Sequence, residues 1–229
     1  MRVISNTKKI DRNRKIGLYT SFGSLIILVV GLVLSFQPNM IAYAYGALLV
    51  GLISSQVGIY YGNRWGRSPR IDERLTNGLK GLDDRYTLYH YIAPVPHLLT
   101  GPSGIWVLVP QYQEGTILYE KNRFRQQGVG VFKRFFAQEG LGRPEMEAQS
   151  YQQDMLKFLK KNLPDANLPE VQPLIVFINP KASVQVAESP TPAMHVEKMK
   201  DFMRRRLKTQ SVSMNIIENV EEVLPQDSI

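Results

Sequence analysis

Three histidines, His90, His97 and His195, are the only imidazole groups in the chain, and there is no cysteine. A transition-metal centre needs several such ligands to converge. These histidines fall in separate predicted elements and favour structural roles over a metal centre. The absence of cysteine excludes disulfides and thiolate zinc sites and fits a cytoplasmic soluble part. Walker, nucleophile-elbow and His-Glu-x-x-His motifs are also absent.

Carboxylates form a second candidate set, made of Glu73, Glu114 and Glu120 with the adjacent Lys121. Carboxylate oxygens hold hard cations such as Mg²⁺, and a bound metal stabilises the charge that develops on a phosphate. The structural alternative is that Glu114 lies in a turn and Glu120 ends a solvated strand.

The densest basic cluster of the soluble part comprises Arg204, Arg205, Arg206 and Lys208. It either contacts lipid headgroups or nucleic-acid phosphates, or forms a solvated helix end whose charge suits the helix dipole. A smaller set, Lys121, Arg123 and Arg125, alternates along a predicted strand with Phe124. This alternation is typical of a solvent-exposed strand face, and the alternative is a ridge that contacts phosphates.

The chain has no charged residue from residue 16 to residue 63. Residues 16–36 and 40–61 are each apolar and long enough to span a bilayer. Only a short polar break around Pro38 separates them, which predicts a transmembrane hairpin over residues 16–62. A cleaved signal peptide is the alternative, but its apolar core is shorter than the first run.

The net charge of +8 is concentrated before this hairpin, because residues 1–15 carry six basic side chains and one acidic one. Basic residues remain on the cytoplasmic side of membranes. We therefore expect a basic cytoplasmic leader over residues 1–15, a linker over 63–70, and a soluble domain over 71–229. Both termini and the domain are predicted to be cytoplasmic, in a multi-pass integral membrane protein whose first partner is the lipid bilayer.

Periodicity in the soluble part predicts an α/β domain around a mixed sheet. The predicted helices begin at Ile71, span Glu145–Leu163 and run from Val196 to Leu207. The predicted strands are Tyr86–Ile92, His97–Thr100, Ile105–Val109, Thr116–Glu120, Leu174–Ile178 and Ser183–Val186. The aromatic segment Val131–Ala137, with Phe132 and Phe136, is either a core-facing turn or a patch on the lipid surface.

Three stretches, Asp72–Leu75, Tyr86–Tyr91 and His97–Leu108, resemble the nuclease-related domain (NERD) family. The most specific part is the turn Gly101-Pro102-Ser103-Gly104 between two apolar strands. The resemblance covers about residues 70–190 and implies a restriction-endonuclease-like fold. It further implies an Asp and a Glu that hold Mg²⁺, with a Lys that activates water.

Alignment on the glycine turn places the family's Asp at Pro96, its Glu at Val109 and its Lys at Gln111. His97 and Glu73 still match the pattern. We therefore expect no catalytic, metal or cofactor-binding residue, and a membrane-anchored binding or scaffold module with an unidentified protein partner. The alternatives are a membrane-tethered nuclease with a relocated metal site and a non-cleaving nucleic-acid-binding module. The sequence sets no oligomeric state.

Overall fold

The computed structural model describes residues 1–66, 68–130, 140–164 and 169–228. The chain forms two compact units, one made of Met1–Asn6 with Asp72–Ile229 and the other of Thr7–Ile71. The predicted aromatic segment Val131–Ala137 lies outside the described residues.

The unit Thr7–Ile71 is a helical hairpin. Its helices are α1 (Thr7–Ser35) and α2 (Ile41–Tyr61), joined through a 3₁₀ turn at Pro38–Met40. A π-helical turn, Gly62–Gly66, follows α2. By length and composition, both helices can cross a membrane. The two apolar helices expected from the sequence are therefore present, and α1 begins at Thr7, before the uncharged run.

Small residues line the contact between the two helices at intervals of seven. The small buried residues are Gly17, Ser24 and Gly31 in α1 and Ala44, Gly51 and Gly58 in α2. A seven-residue spacing keeps one face of each helix on its partner. A Cβ added at Gly58 would lie 2.5 Å from Ser21 Oγ, whereas one at Gly46 would meet nothing within 4 Å. Glycine at position 58 therefore sets the close approach of the helices.

The larger unit is built on a six-stranded mixed sheet. In spatial order its strands are β1 (Arg2–Ser5), β2 (Thr87–His90), β3 (His97–Gly101), β4 (Gly104–Gln111), β7 (Val171–Phe177) and β9 (Ala193–His195). The pairs β2–β3 and β3–β4 are antiparallel, and β1–β2, β4–β7 and β7–β9 are parallel. The mixed α/β class expected from the sequence is confirmed.

Helices cover both faces of this sheet. They are α3 (Ile71–Leu79), α4 (Pro144–Asn162), α5 (Met199–Thr209) and α6 (Met214–Glu222). On one face, Val107 packs in a cluster with Met155 of α4 and Ile217 of α6. On the other face, the Trp106 ring meets Phe202 of α5 edge-on, with ring centroids 5.3 Å apart. This opposition follows from the alternation of side chains along β4.

A second, three-stranded sheet contains β5 (Gly115–Glu120), β6 (Arg123–Gln127) and β8 (Ala182–Gln185), with β5 in the middle. The expectation of one mixed sheet is therefore wrong, because Thr116–Glu120 and Ile105–Val109 belong to different sheets. The sequence break at Gln111–Gly115 allows the chain to leave the first sheet, and Gly115 has a φ of 84° that favours glycine.

The basic leader expected over residues 1–15 is divided between two elements. Arg2–Ser5 form β1, which pairs with β2 in the register Ile4 to Tyr89, and α1 then begins at Thr7. Ile4 is 2% exposed within the core of the sheet. Arg2 Nη2 donates to Glu221 Oε2 at 3.1 Å, and Thr100 Oγ1 donates to Glu221 Oε1 at 2.5 Å. The first residues thus belong to the larger unit.

Candidate functional site

The turn Gly101–Gly104 fixes the register of the β3–β4 hairpin. Gly101 and Gly104 face each other, with φ values of 157° and 110°. A Cβ at Gly101 would clash with the Tyr86 ring. The indole Nε1 of Trp106 donates to the carbonyl of Ser103 at 3.1 Å, which closes the turn. Glycine is therefore required at position 101 for both conformation and space, and at position 104 for conformation.

Val109, where the resemblance stated above predicts a Glu, lies in β4 with its side chain fully buried. It belongs to an apolar cluster with Ile117 of β5, Ala148 of α4, and Ile175 and Phe177 of β7. A divalent cation needs several oxygen ligands at about 2.0–2.6 Å. The packing around Val109 supplies hydrocarbon in their place, so this position does not fit a metal ion.

Gln111, where the resemblance predicts a Lys, is a buried polar side chain at the end of β4. Its Nε2 donates to Glu147 Oε2 at 3.1 Å, and Tyr151 donates its hydroxyl proton to Glu147 Oε1 at 2.9 Å. Both oxygens of the Glu147 carboxylate are thus engaged by neutral donors. Glu147 and Tyr151 lie four residues apart on α4, the spacing that places side chains on one helix face.

Pro96, at the position of the family's Asp, precedes β3 and contributes its backbone. The carbonyl of Pro96 accepts a hydrogen bond from the amide of Tyr91 at 2.7 Å. Tyr91 has a φ of 60°, the left-handed region that closes the connection between β2 and β3. A proline ring offers no ligand for a metal. The observed contact of Pro96 is the backbone hydrogen bond that stabilises the loop between β2 and β3.

His90 and His97 meet inside the larger unit. Their Nδ1 atoms are 2.8 Å apart, and the His90 Nε2 lies 2.9 Å from Thr76 Oγ1 of α3. The Tyr91 ring meets His97 edge-on at 4.7 Å between centroids. An Nδ1–Nδ1 hydrogen bond requires one ring to donate and the other to accept, so the two rings cannot both be doubly protonated while it persists. His195 lies elsewhere, with its Nε2 3.0 Å from the carbonyl of Asn179.

The carboxylates considered for a relocated metal site belong to different elements. Glu73 lies on α3, Glu114 precedes β5, and Glu120 ends β5 opposite Arg123. Within residues 1–66, 68–130, 140–164 and 169–228, no group of three or more His, Asp or Glu side chains could hold a metal ion. Lys121 lies in the β5–β6 turn with a φ of 51°, outside the strand that was expected to contain it.

The basic cluster of α5 is divided by its contacts. Arg206 is partly buried, with its guanidinium 5.6 Å from the Trp106 ring centroid and 5.5 Å from that of Phe202. Arg204 Nη2 donates to the carbonyl of Gly81 at 3.0 Å. Arg205 and Lys208 are exposed. Arg204 and Arg206 therefore contact other parts of the larger unit, whereas Arg205 and Lys208 face solvent.

The exposed basic ridge of β6 has the predicted alternation. Arg123 and Arg125 are exposed, and Phe124 between them is buried against Tyr119 and Phe177. The strand thus presents two guanidinium groups to solvent on one face.

Sequence reasoning did not identify Glu147, Tyr151 or Thr76 as members of these networks. The contact between Glu147 and Gln111 joins residues 36 positions apart, and no local motif marks it. The pairing of His90 with His97 had a usable signal, because both residues flank the six-residue connection between two antiparallel strands.

Comparison of the chain with models of known families, with curated proteins and with solved structures returned no significant match.

Proposed function

We propose that the chain is a membrane-anchored protein whose larger unit is a NERD-like binding or scaffold module without nuclease activity. The observation that carries the proposal is the closed apolar cluster around Val109, where the family would hold a metal-binding carboxylate. The pair of apolar helices supplies the anchor.

The path of the chain supports a hairpin that crosses the membrane twice. β1 ends at Ser5 and pairs with β2, so the residues before α1 and after α3 belong to one folded sheet. A segment that leaves and re-enters the same folded unit crosses a bilayer an even number of times. If α1 crosses, α2 returns. The basic residues between β1 and the uncharged run favour the cytoplasmic side for the larger unit.

The arrangement of elements supports a NERD-like scaffold. Helix α3 carries Glu73, β2 follows it, and the glycine turn joins β3 to β4 as in the family pattern. Because only the metal-binding and water-activating positions depart from that pattern, the fold persists while the chemistry is lost.

The groups supplied by Pro96, Val109 and Gln111 support the loss of nuclease chemistry. Pro96 contributes a backbone carbonyl, Val109 a hydrocarbon side chain, and Gln111 a neutral amide already bonded to Glu147. Proline and valine side chains offer no oxygen to a hard cation, and an amide cannot replace an ammonium. A module that keeps its scaffold without these groups acts by holding a partner.

The test uses the full-length chain in lipid nanodiscs, because a fragment that starts after the hairpin lacks β1. The purified protein is incubated with DNA and with RNA in the presence of Mg²⁺ or Mn²⁺. We expect no cleavage above a protein-free control. Metal-dependent cleavage that disappears in Glu73→Gln or Glu120→Gln would overturn the proposal and favour a relocated site.

Retention of nucleic acid on the same nanodiscs tests the non-cleaving alternative. Phosphate contacts weaken steeply as salt increases. Salt-dependent retention that is lost when Arg205 and Lys208 are both changed to Ala would identify α5 as a nucleic-acid contact. We expect the wild-type chain and this double variant to be retained equally weakly.

A further inference from the structure

Gln56 is a polar side chain on the outer surface of the hairpin. It is exposed on α2, five residues before the helix ends at Tyr61. A residue five to six positions from the middle of an apolar run of this length lies roughly 8 Å from the bilayer centre. The hydrocarbon core extends about 15 Å to each side. Gln56 is therefore inside the hydrocarbon if the hairpin spans a membrane.

The side-chain amide of Gln56 makes no hydrogen bond to any of the residues that the structure describes. The amide has two donor hydrogens and an acceptor oxygen. Leaving such a group unpaired in hydrocarbon costs several kcal/mol. Some polar side chains of the hairpin are satisfied within their own helices: Ser55 Oγ donates to the Leu52 carbonyl at 2.7 Å, and Thr20 Oγ1 donates to the Ile16 carbonyl at 2.7 Å. The larger amide of Gln56 has no such bond.

Gln56 belongs to a seam on α2, formed by Gly46, Leu49, Ile53 and Gln56, whose spacing alternates between three and four. This is the spacing of the contact residues in a helix–helix interface. Leu49 and Ile53 are 61% and 59% exposed, and a Cβ at Gly46 would meet nothing within 4 Å. The seam is distinct from the face that packs on α1.

We infer that this seam binds the same seam of a second copy of the chain, with the two Gln56 amides hydrogen-bonded to each other. A primary amide is self-complementary, since each copy supplies both a donor and an acceptor. Two copies inserted in the same orientation place Gln56 at the same depth, and a two-fold axis along the membrane normal brings the residues together. Interhelical amide hydrogen bonds and small residues are typical of such contacts. The inference rests on the proposed membrane anchor.

The first test measures association of the full-length chain in phosphatidylcholine vesicles. Energy transfer between donor- and acceptor-labelled copies is followed as lipid dilutes the protein. We expect reversible association that weakens about 3-fold to 10-fold in Gln56→Leu, as the loss of one or two interhelical hydrogen bonds predicts. Gln56→Asn retains the amide and should associate more tightly than Gln56→Leu. Val57→Leu changes a neighbouring lipid-facing residue outside the seam and serves as the control.

The second test uses single cysteines in this cysteine-free chain. Under a lipid-soluble oxidant, we expect Ile53→Cys to form disulfide-linked dimers and Leu25→Cys, which is 58% exposed on α1, to remain monomeric. The dimer would be overturned if the wild-type protein inserted into the membrane without associating. It would also be overturned if the Gln56→Leu variant associated as tightly as the wild type. Either result would leave the membrane anchor intact. Protein that does not insert into the vesicles would overturn both.

Discussion

Replacing Gly58 by Val tests whether close contact between α1 and α2 holds the hairpin together. The added Cβ would lie 2.5 Å from Ser21 Oγ and 2.9 Å from Ser21 N. A backbone atom cannot move aside as a flexible side chain can, so the helices must separate. Overpacking of this kind costs about 1–3 kcal/mol. We therefore expect the closed hairpin to be disfavoured about 5-fold to 150-fold relative to separated helices.

Disulfide trapping at the open end of the hairpin measures this change. A Cβ built at Gly17 lies 3.0 Å from the Cβ of Tyr61, and a disulfide needs about 3.5–4.5 Å. Gly17→Cys with Tyr61→Cys should therefore form an intramolecular disulfide after a small outward shift. We expect Gly58→Val to slow disulfide formation in this background.

The matched control is Gly46→Val, which makes the same substitution on the same helix where a Cβ meets nothing within 4 Å. It should form the disulfide as fast as the parent pair. Equal rates for Gly58→Val and Gly46→Val would refute the reasoning that glycine sets the approach of the helices.

Three further predictions concern the larger unit, with its unfolding followed by tryptophan fluorescence of the detergent-solubilised full-length chain. Ile4→Ala should lower the unfolding free energy by about 2–5 kcal/mol, while Val3→Ala, at a site 38% exposed, should change it little. Burial raises the pKa of Tyr89, and the charge of the Glu221 carboxylate raises it further. The contribution of neutral Tyr89 to the unfolding free energy is therefore complete below the unfolded tyrosine pKa of about 10, and it is lost as pH rises above that value. Tyr89→Phe should reduce this alkaline loss, and an unchanged pH profile would contradict it. Arg206→Ala should cost about 0.5–2 kcal/mol through lost ring contacts, and an equal effect of exposed Arg205→Ala would contradict this assignment.

Elements with strong local signals could be predicted from the sequence. The two hairpin helices follow from uninterrupted apolar runs, and β4 and β7 from short apolar runs bounded by turn residues. Helix α4 has an apolar face ended by Pro164 and was predicted within one residue at each end. In each case the pattern needed to form the element lies within the element.

Elements that depend on distant partners could not be predicted. β1 has four residues in a basic segment and becomes a strand by pairing with β2, more than 80 positions away. β9 has three residues and pairs with β7, and the tail was not recognised as containing α6. The division of strands between two sheets likewise depends on the cluster around Val109, whose buried members come from four strands, from α4 and from Val186, which follows β8.

The candidate site divides in the same way. The glycine turn is visible in the sequence, and alignment on it selected positions 96, 109 and 111 as the candidate site. Their surroundings could not be predicted, because Gln111 donates to Glu147 of α4, and Tyr151 of the same helix donates in turn to Glu147.

The crossing of the membrane by α1 and α2 is tested most directly by the sidedness of the hairpin in intact cells. Single cysteines are placed at Asn39, in the turn between the helices, and at Glu120, exposed in the larger unit. Each variant is treated with a membrane-impermeant maleimide before and after permeabilisation. We predict that Asn39→Cys is labelled in intact cells and Glu120→Cys only after permeabilisation. Labelling of both sites from the same side of the membrane would contradict it.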